Sequence, residues 1–147
     1  MKVKYKKVKT LSEFIDAIRL RVEVFEIEQK CKVGHEPDEH DKIAVHYIAM
    51  ADDKIVSTAR YREPSKRIFK IGRMATKKEY RGRGISIGLL NYIIRDIKKL
   101  KPKKIWLQAQ VQAQKFYEKN GFKIKSKPYD WDGIPHIDMV YMYNSKK

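Results

Sequence analysis

Among the residues of this chain that could do chemistry, the most telling are Arg81-Gly82-Arg83-Gly84-Ile85-Ser86, set between an extended apolar run and a helical one. A glycine-rich turn that opens a helix points several backbone N–H groups at one spot and adds the positive end of the helix dipole there, which suits it to a phosphate or pyrophosphate. Two arginines strengthen that preference. The spacing is not that of a dinucleotide fingerprint, which needs glycine where Ile87 stands, nor of a P-loop, which needs Gly-Lys-Ser/Thr. Further along, Ile105 to Gln110 reads as a short strand, followed by Ala113, Phe116 and Tyr117 at helical i, i+3, i+4 spacing and by an Asn120-Gly121 stop. Taken alone, the turn also reads as a basic loop without a ligand, and Tyr117 as a core aromatic.

Arg81-x-x-Gly84-x-Ser86 resembles the Gln/Arg-x-x-Gly-x-Gly/Ala signature with which GNAT-superfamily N-acetyltransferases grip the pyrophosphate of acetyl-coenzyme A, with Ser86 standing where Gly or Ala is usual. Its hydroxyl either crowds the turn or adds a phosphate donor. Ala113-x-x-Phe116-Tyr117-x-x-x-Gly121-Phe122 resembles a second element of the same superfamily, in which the preceding strand splays from its neighbour to admit the pantetheine arm and the tyrosine lies near the thioester sulfur. Gly133-Ile134-Pro135-His136 and Arg21-Val22-Glu23-Val24-Phe25-Glu26-Ile27-Glu28-Gln29 are similar to motifs of the YjcF/ElaA-type branch, and the resemblance covers nearly the whole chain. It implies acetyl-CoA as acyl donor, held by Met74, Ala75 and Thr76 through their backbone and by Arg81, Gly82, Arg83, Gly84, Ile85, Ser86, Gln110 and Phe116.

Acetyl transfer to an amine requires a neutral amine, a place for the developing oxyanion and a proton for the departing thiolate. Tyr117 is the candidate general acid: an ordinary phenol is protonated at neutral pH and can donate to a thiolate. Glu28, His136 and Asp138 are the candidate general bases because they fall in the branch-like motifs, although Glu28 also reads as a helix-terminal surface acid and His136 as a satisfied buried imidazole. The acceptor is a small-molecule, peptide or protein amine. A non-catalytic acyl-CoA sensor is the alternative.

The run His35-Glu36-Pro37-Asp38-Glu39-His40-Asp41 stands out in a chain of net charge +16. It reads as a solvated acidic loop pairing with neighbouring lysines, with a cationic acceptor or a divalent metal as sharper readings; its spacing is irregular for a metal site. Many lysines are dispersed, as in Lys98-Lys99, Lys101, Lys103-Lys104 and Lys146-Lys147, and no reading helix or aromatic-basic RNA motif accompanies them, so a nucleic-acid partner is not expected. Lone Cys31, an N-terminus without an apolar signal core and the lack of any run of ~20 apolar residues predict a soluble, cytoplasmic protein with no membrane partner. Monomer and homodimer both remain open.

The elements that must position these residues follow from periodicity. At 147 residues one domain over positions 1–147 is expected. Val3, Tyr5 and Val8 mark a strand; Thr10 and Glu13 form capping-box spacing before a helix through Phe25; 44–51 and 55–61 flank an Asp52-Asp53-Lys54 hairpin; Pro64-Ser65-Lys66 turns the chain into a strand over 68–76. A helix over 85–100 carries Ile85, Leu89, Ile93, Ile97 and Leu100 on one stripe, with Gly88 allowing close approach to the sheet. The last strands fall near 122–126 and 136–143. The fold class is therefore α/β, an α+β mixed sheet in the order β-α-β-β-β-α-β-α-β-β, as the GNAT resemblance also implies.

Overall fold

The structure is a computed structural model and describes residues 1–142; Tyr143, placed by the sequence in the last strand, and Lys146-Lys147 lie outside the described residues. Strand β1 (Val3–Lys7) leads to helix α1 (Leu11–Arg21), which begins where the side chain of Thr10 accepts the Glu13 amide and that of Glu13 accepts the Thr10 amide. Two orphan donors are thereby satisfied. Beyond Arg21 the helix widens into a π-helical segment, Val22–Glu28, where periodicity alone predicts a continued α-helix. Strands β2 (Val45–Ala51) and β3 (Lys54–Ser65) close over Asp52 and Asp53, both at positive φ, the turn whose twist matches that of the strands. The next turn tightens onto Lys66 and Arg67, so β3 runs through Pro64 and Ser65 before β4 (Ile68–Thr76) begins.

Helix α2 (Ile85–Lys98), β5 (Lys104–Gln110), α3 (Gln114–Lys119), β6 (Phe122–Ile124), β7 (Tyr129–Trp131) and β8 (Ile134–Tyr141) complete the mixed α/β order, with β7 one strand more than periodicity shows. The sheet runs β1-β2-β3-β4-β5-β8-β6, with β7 also paired to β8. All neighbours are antiparallel except β4 and β5, which pair in parallel only over Ile68–Ile71 with Lys104–Leu107. Past that point they have no common ladder, and a wedge opens between Gly72–Thr76 and Gln108–Gln110.

Alternation divides the sheet into two faces. Tyr47, Ala59, Phe69, Ile71, Ile105, Leu107, Ile137 and Met139 form one buried core with Leu89, Leu90, Ile93 and Ile97 of α2; Leu100 falls beyond the helix and is exposed. On the other face, cross-strand pairing sets Arg62 beside Lys70, Lys70 beside Trp106, Gln108 beside Asp138, and Gln110 beside His136 and, beyond it, Tyr129. Helix α1 packs on β3 and β4. The polar rows beyond it form the floor of a cleft. Gly88 is required where α2 meets β1, since a Cβ there would lie 1.9 Å from the Tyr5 hydroxyl.

The acidic run is not the solvated, lysine-paired loop its composition suggests. Asp38 caps a short 3-10 turn, Glu39–Lys42, and the carboxylates turn inward: Arg21 Nε donates to Glu36 at 2.5 Å and its two Nη atoms to Asp41 at 2.9 Å each, Arg60 donates to Asp38 and Asp41, and Arg73 to Glu36 and Asp38. Arginine's planar fork satisfies buried carboxylates bidentately, which the ammonium of lysine does not. Those carboxylates are thus committed to arginine, and no group of three ligating side chains stands ready for a metal among the described residues.

Candidate active site

At one end of the wedge, Gly82 and Gly84 adopt φ +75° and +79°, a left-handed backbone that favours glycine, and Gly84 is the N-cap of α2 with no side-chain cap. Open space surrounds the place where a Cβ of Gly84 would sit. The first amides of α2 are therefore left to a ligand or solvent, beside the positive end of the helix. Ile85 takes part through its backbone only, because its side chain is buried with Ala49, Ala51 and Val56. The Ser86 hydroxyl meets Thr76 Oγ1 at 2.7 Å, which in turn meets Ser57 Oγ at 2.7 Å, so Ser86 ties the turn to β3 and β4.

Arg81 is a strap across the mouth. Its Nε donates to the Thr76 carbonyl at 2.9 Å, and its two Nη atoms donate to Glu28 at 2.5 and 2.7 Å. Glu28 does not line the cleft, and the Arg81 guanidinium holds its carboxylate below the usual range. A carboxylate shared with arginine has little proton affinity to offer, which weighs against the base role expected of Glu28. Arg83 is exposed and lies over the Tyr80 ring at 5.4 Å.

The cleft itself, about 410 Å³, brings together Met74, Ala75, Thr76, Arg81, Ser86, Gln110, Phe116, Tyr117 and His136. Gly82, Arg83, Gly84 and Ile85 lie beyond its lining, on the adjoining turn. Gln110 donates to Gln29 at 2.8 Å and so joins β5 to the end of the π-helical segment. Burial pushes the Tyr117 phenol up to about 12, and its hydroxyl donates to Met74 Sδ at 3.7 Å. It is protonated throughout the neutral range.

His136 has its Nδ1 2.7 Å from the Ile134 carbonyl. A carbonyl only accepts, so Nδ1 is the donor here, and in the neutral ring the lone pair falls to Nε2. The ring is stacked on Tyr129 and meets Trp131 edge-on at 5.3 Å, which fixes its orientation. Asp138 stands outside the lining and accepts the Tyr129 hydroxyl.

A model of the acetyltransferase (GNAT) domain matches residues 5–142. The chain belongs to the GNAT acetyltransferases. It is 33% identical over 132 residues to the UPF0039 protein C11D3.02c of Schizosaccharomyces pombe, spanning 88% of this chain and 87% of that protein. Among solved structures it is similar to Escherichia coli ElaA (25% identity, TM-score 0.85, 95% of this chain and 99% of that one) and to an acyl-CoA N-acyltransferase from Pseudomonas aeruginosa (29% identity, TM-score 0.83, 95% and 98%).

This GNAT acetyltransferase carries a polar chain on its cleft floor that the motifs do not reveal. Lys70 Nζ donates to Gln108 Oε1, Gln108 Nε2 donates to Tyr129 Oη at 2.9 Å, and Tyr129 Oη donates to Asp138 Oδ1. Burial, followed by the neighbouring charges of Arg62, Arg60 and Arg73, pulls the Lys70 ammonium down to about 8. Two signals in the sequence point here. Lys70 interrupts an apolar run, Ile68-Phe69-Lys70-Ile71, at the phase of the polar face. Asp132-Gly133 between Trp131 and Ile134 is a hairpin turn that brings Tyr129 and Trp131 over His136.

Proposed function

We propose that this acetyltransferase moves an acetyl group from acetyl-CoA to a primary amine by direct transfer within the wedge between β4 and β5. The observation that carries the reading is that one cleft, reaching Arg81 and Ser86 beside the uncapped, glycine-opened N-terminus of α2, also holds a protonated phenol, Tyr117, and the imidazole of His136. An anionic diphosphate fits the first of these: the amides are free, the dipole is favourable, and the space above Gly84 is open. Backbone groups of Gly72–Thr76 that face β5 have no ladder partner there and are free to hold an extended amide-bearing arm.

When bound, acetyl-CoA supplies a thioester whose C–S bond breaks as the C–N bond to the acceptor forms. His136 Nε2 takes the proton that the acceptor nitrogen must lose, directly or through one water. Tyr117 Oη gives its proton to the departing sulfur. At about 12 the phenol is a weaker acid than a thiol by roughly 3 pK units, so this transfer must accompany C–S cleavage rather than precede it. Arg81, tied to Glu28 and Thr76, closes the side of the mouth.

The test follows thiol release from acetyl-CoA with a panel of primary amines, alongside equilibrium titration with the donor. Saturable donor binding that Gly84→Val weakens, with amine-dependent thiol release that His136→Gln reduces by about 10² or more, is the expected result. Donor binding without amine-dependent release would replace the transferase reading with that of an acyl-CoA sensor.

A further inference from the structure

Two cations on the cleft floor have no carboxylate within ion-pair distance among the described residues. Arg21, Arg60, Arg73 and Arg81 each have a carboxylate partner. Lys70 and Arg62 do not: the Lys70 ammonium has the neutral amide of Gln108 and the Trp106 ring, at 5.0 Å, and Arg62 makes no ion pair among the described residues. Both line the cleft and are neighbours in the β3–β4 register. Asp138 favours the Lys70 ammonium only from beyond ion-pair distance and accepts the Tyr129 hydroxyl, while Glu36, which lines the cleft, is committed to Arg21 and Arg73. Drawing an ammonium out of water without a counter-ion is costly, and the depressed proton affinity of Lys70 reflects that burial and the like charges beside it. A built cavity with unmatched positive charge calls for an anion from outside the chain.

We propose that Lys70 and Arg62 form an anion subsite that holds the carboxylate or phosphate tail of the amine acceptor. The inference rests on the acetyl-transfer reading and narrows its substrate class. The subsite is not the diphosphate site: Lys70 lies six residues before Thr76 on β4, roughly 20 Å of strand from the turn that opens α2. The acceptor nitrogen belongs near His136, which pairs with Gln110, whereas Lys70 reaches Gln108, two residues or about 7 Å back along β5. The anion and the amine are thus separated by a short chain, such as that of an ω-amino acid. A second ammonium at the same place would face Lys70 and Arg62 as a like charge, which disfavours polyamines.

Two measurements test this. The first compares thiol release with pentylamine, ω-aminopentanoate, aminopropyl phosphate and cadaverine; one of the two anionic amines should exceed pentylamine in kcat/KM by about tenfold or more, with cadaverine the poorest, and which anionic amine does so separates carboxylate from phosphate. Lys70→Gln should collapse that ratio toward one through KM, and Lys70→Arg should restore most of it. A merely structural role for Lys70 would lower all four amines alike. Equal use of the four, or a preference for cadaverine, overturns the subsite. The second measurement titrates the wild-type protein with pentanoate and with pentanamide and requires no turnover. Saturable binding of pentanoate alone, without thiol release for any amine, keeps the subsite and defeats the transfer reading; if both molecules bind equally or neither binds, the subsite fails.

Discussion

At the scale of the residue, the proposed division of labour rests on two protons held in different ways. Tyr117 keeps its proton because burial disfavours the phenolate, and the Ile134 carbonyl selects the Nδ1–H tautomer of neutral His136, in which Nε2 is the acceptor. If Tyr117 donates to the departing sulfur, Tyr117→Phe removes only the hydroxyl and its weak contact with Met74, leaving the ring packed on Phe116 and Phe122. Thiol release should then fall roughly 10²-fold while acetyl-CoA affinity holds; unchanged turnover on a good acceptor would reject the role. Lys70 makes a second case, in stability. Its folded pKa of about 8 lies below the unfolded value near 10.4, so the folded state resists the charge at pH 7, and this cost disappears as pH rises from 8 toward 10.4. Lys70→Met should therefore raise the melting temperature at pH 7 and raise it less at pH near 10, a comparison that thermal scans at the two pH values make directly.

At the scale of the element, α2 and its turn were the most legible parts of the chain, because their signals are local: positive-φ glycines, a 3.6-residue stripe and a proline beyond. The wedge was readable only through the family resemblance and the order of strands across the sheet was not read at all, since which strands pair, and where two parallel strands stop pairing, are long-range properties. Tyr129–Trp131 escaped because three residues are too short to show alternation, although the Asp132-Gly133 turn marked them. The acidic run was misread for a related reason: composition shows many lysines, but the partners Arg21, Arg60 and Arg73 come from three separate elements. Widening of α1 into a π-helical segment sets Arg21 into that cluster while Phe25 and Gln29 face the cleft, a placement regular periodicity cannot anticipate. One element contact has a simple test. Gly88→Ala gains helix propensity but drives a methyl into Tyr5, so a net loss of roughly 1–3 kcal/mol is expected in denaturant unfolding, less in a Tyr5→Ala background.

At the scale of the whole molecule, a chain of net charge +16 is held in shape partly by acids it can ill spare. Four groups make its stability depend on pH in the same direction. His46 is buried, with Nε2 donating to the Asp41 carbonyl at 3.0 Å, and desolvation keeps its pKa below the ordinary value. Its neutral form is favoured in the folded state, so the stability it contributes is present above about pH 6.5 and is lost as pH falls through the lowered value. Asp38 and Asp41 are held below the ordinary range by their arginine partners against the opposing effect of burial, and Glu13 is drawn down to about 2, chiefly by Lys6. Their contribution is present above about pH 4 and is lost as protons reach them below it. Thermal melting followed from pH 8 to pH 3 should thus show a plateau, a shallow decline starting near pH 6.5 with a slope of at most ~1.4 kcal/mol per pH unit, and a steeper fall below about pH 4. His46→Gln should flatten the first decline and leave the second. A profile that is flat from pH 8 to pH 3, or one that rises on acidification, would mean that the buried charge cluster does not hold the α1 end of the sheet in place.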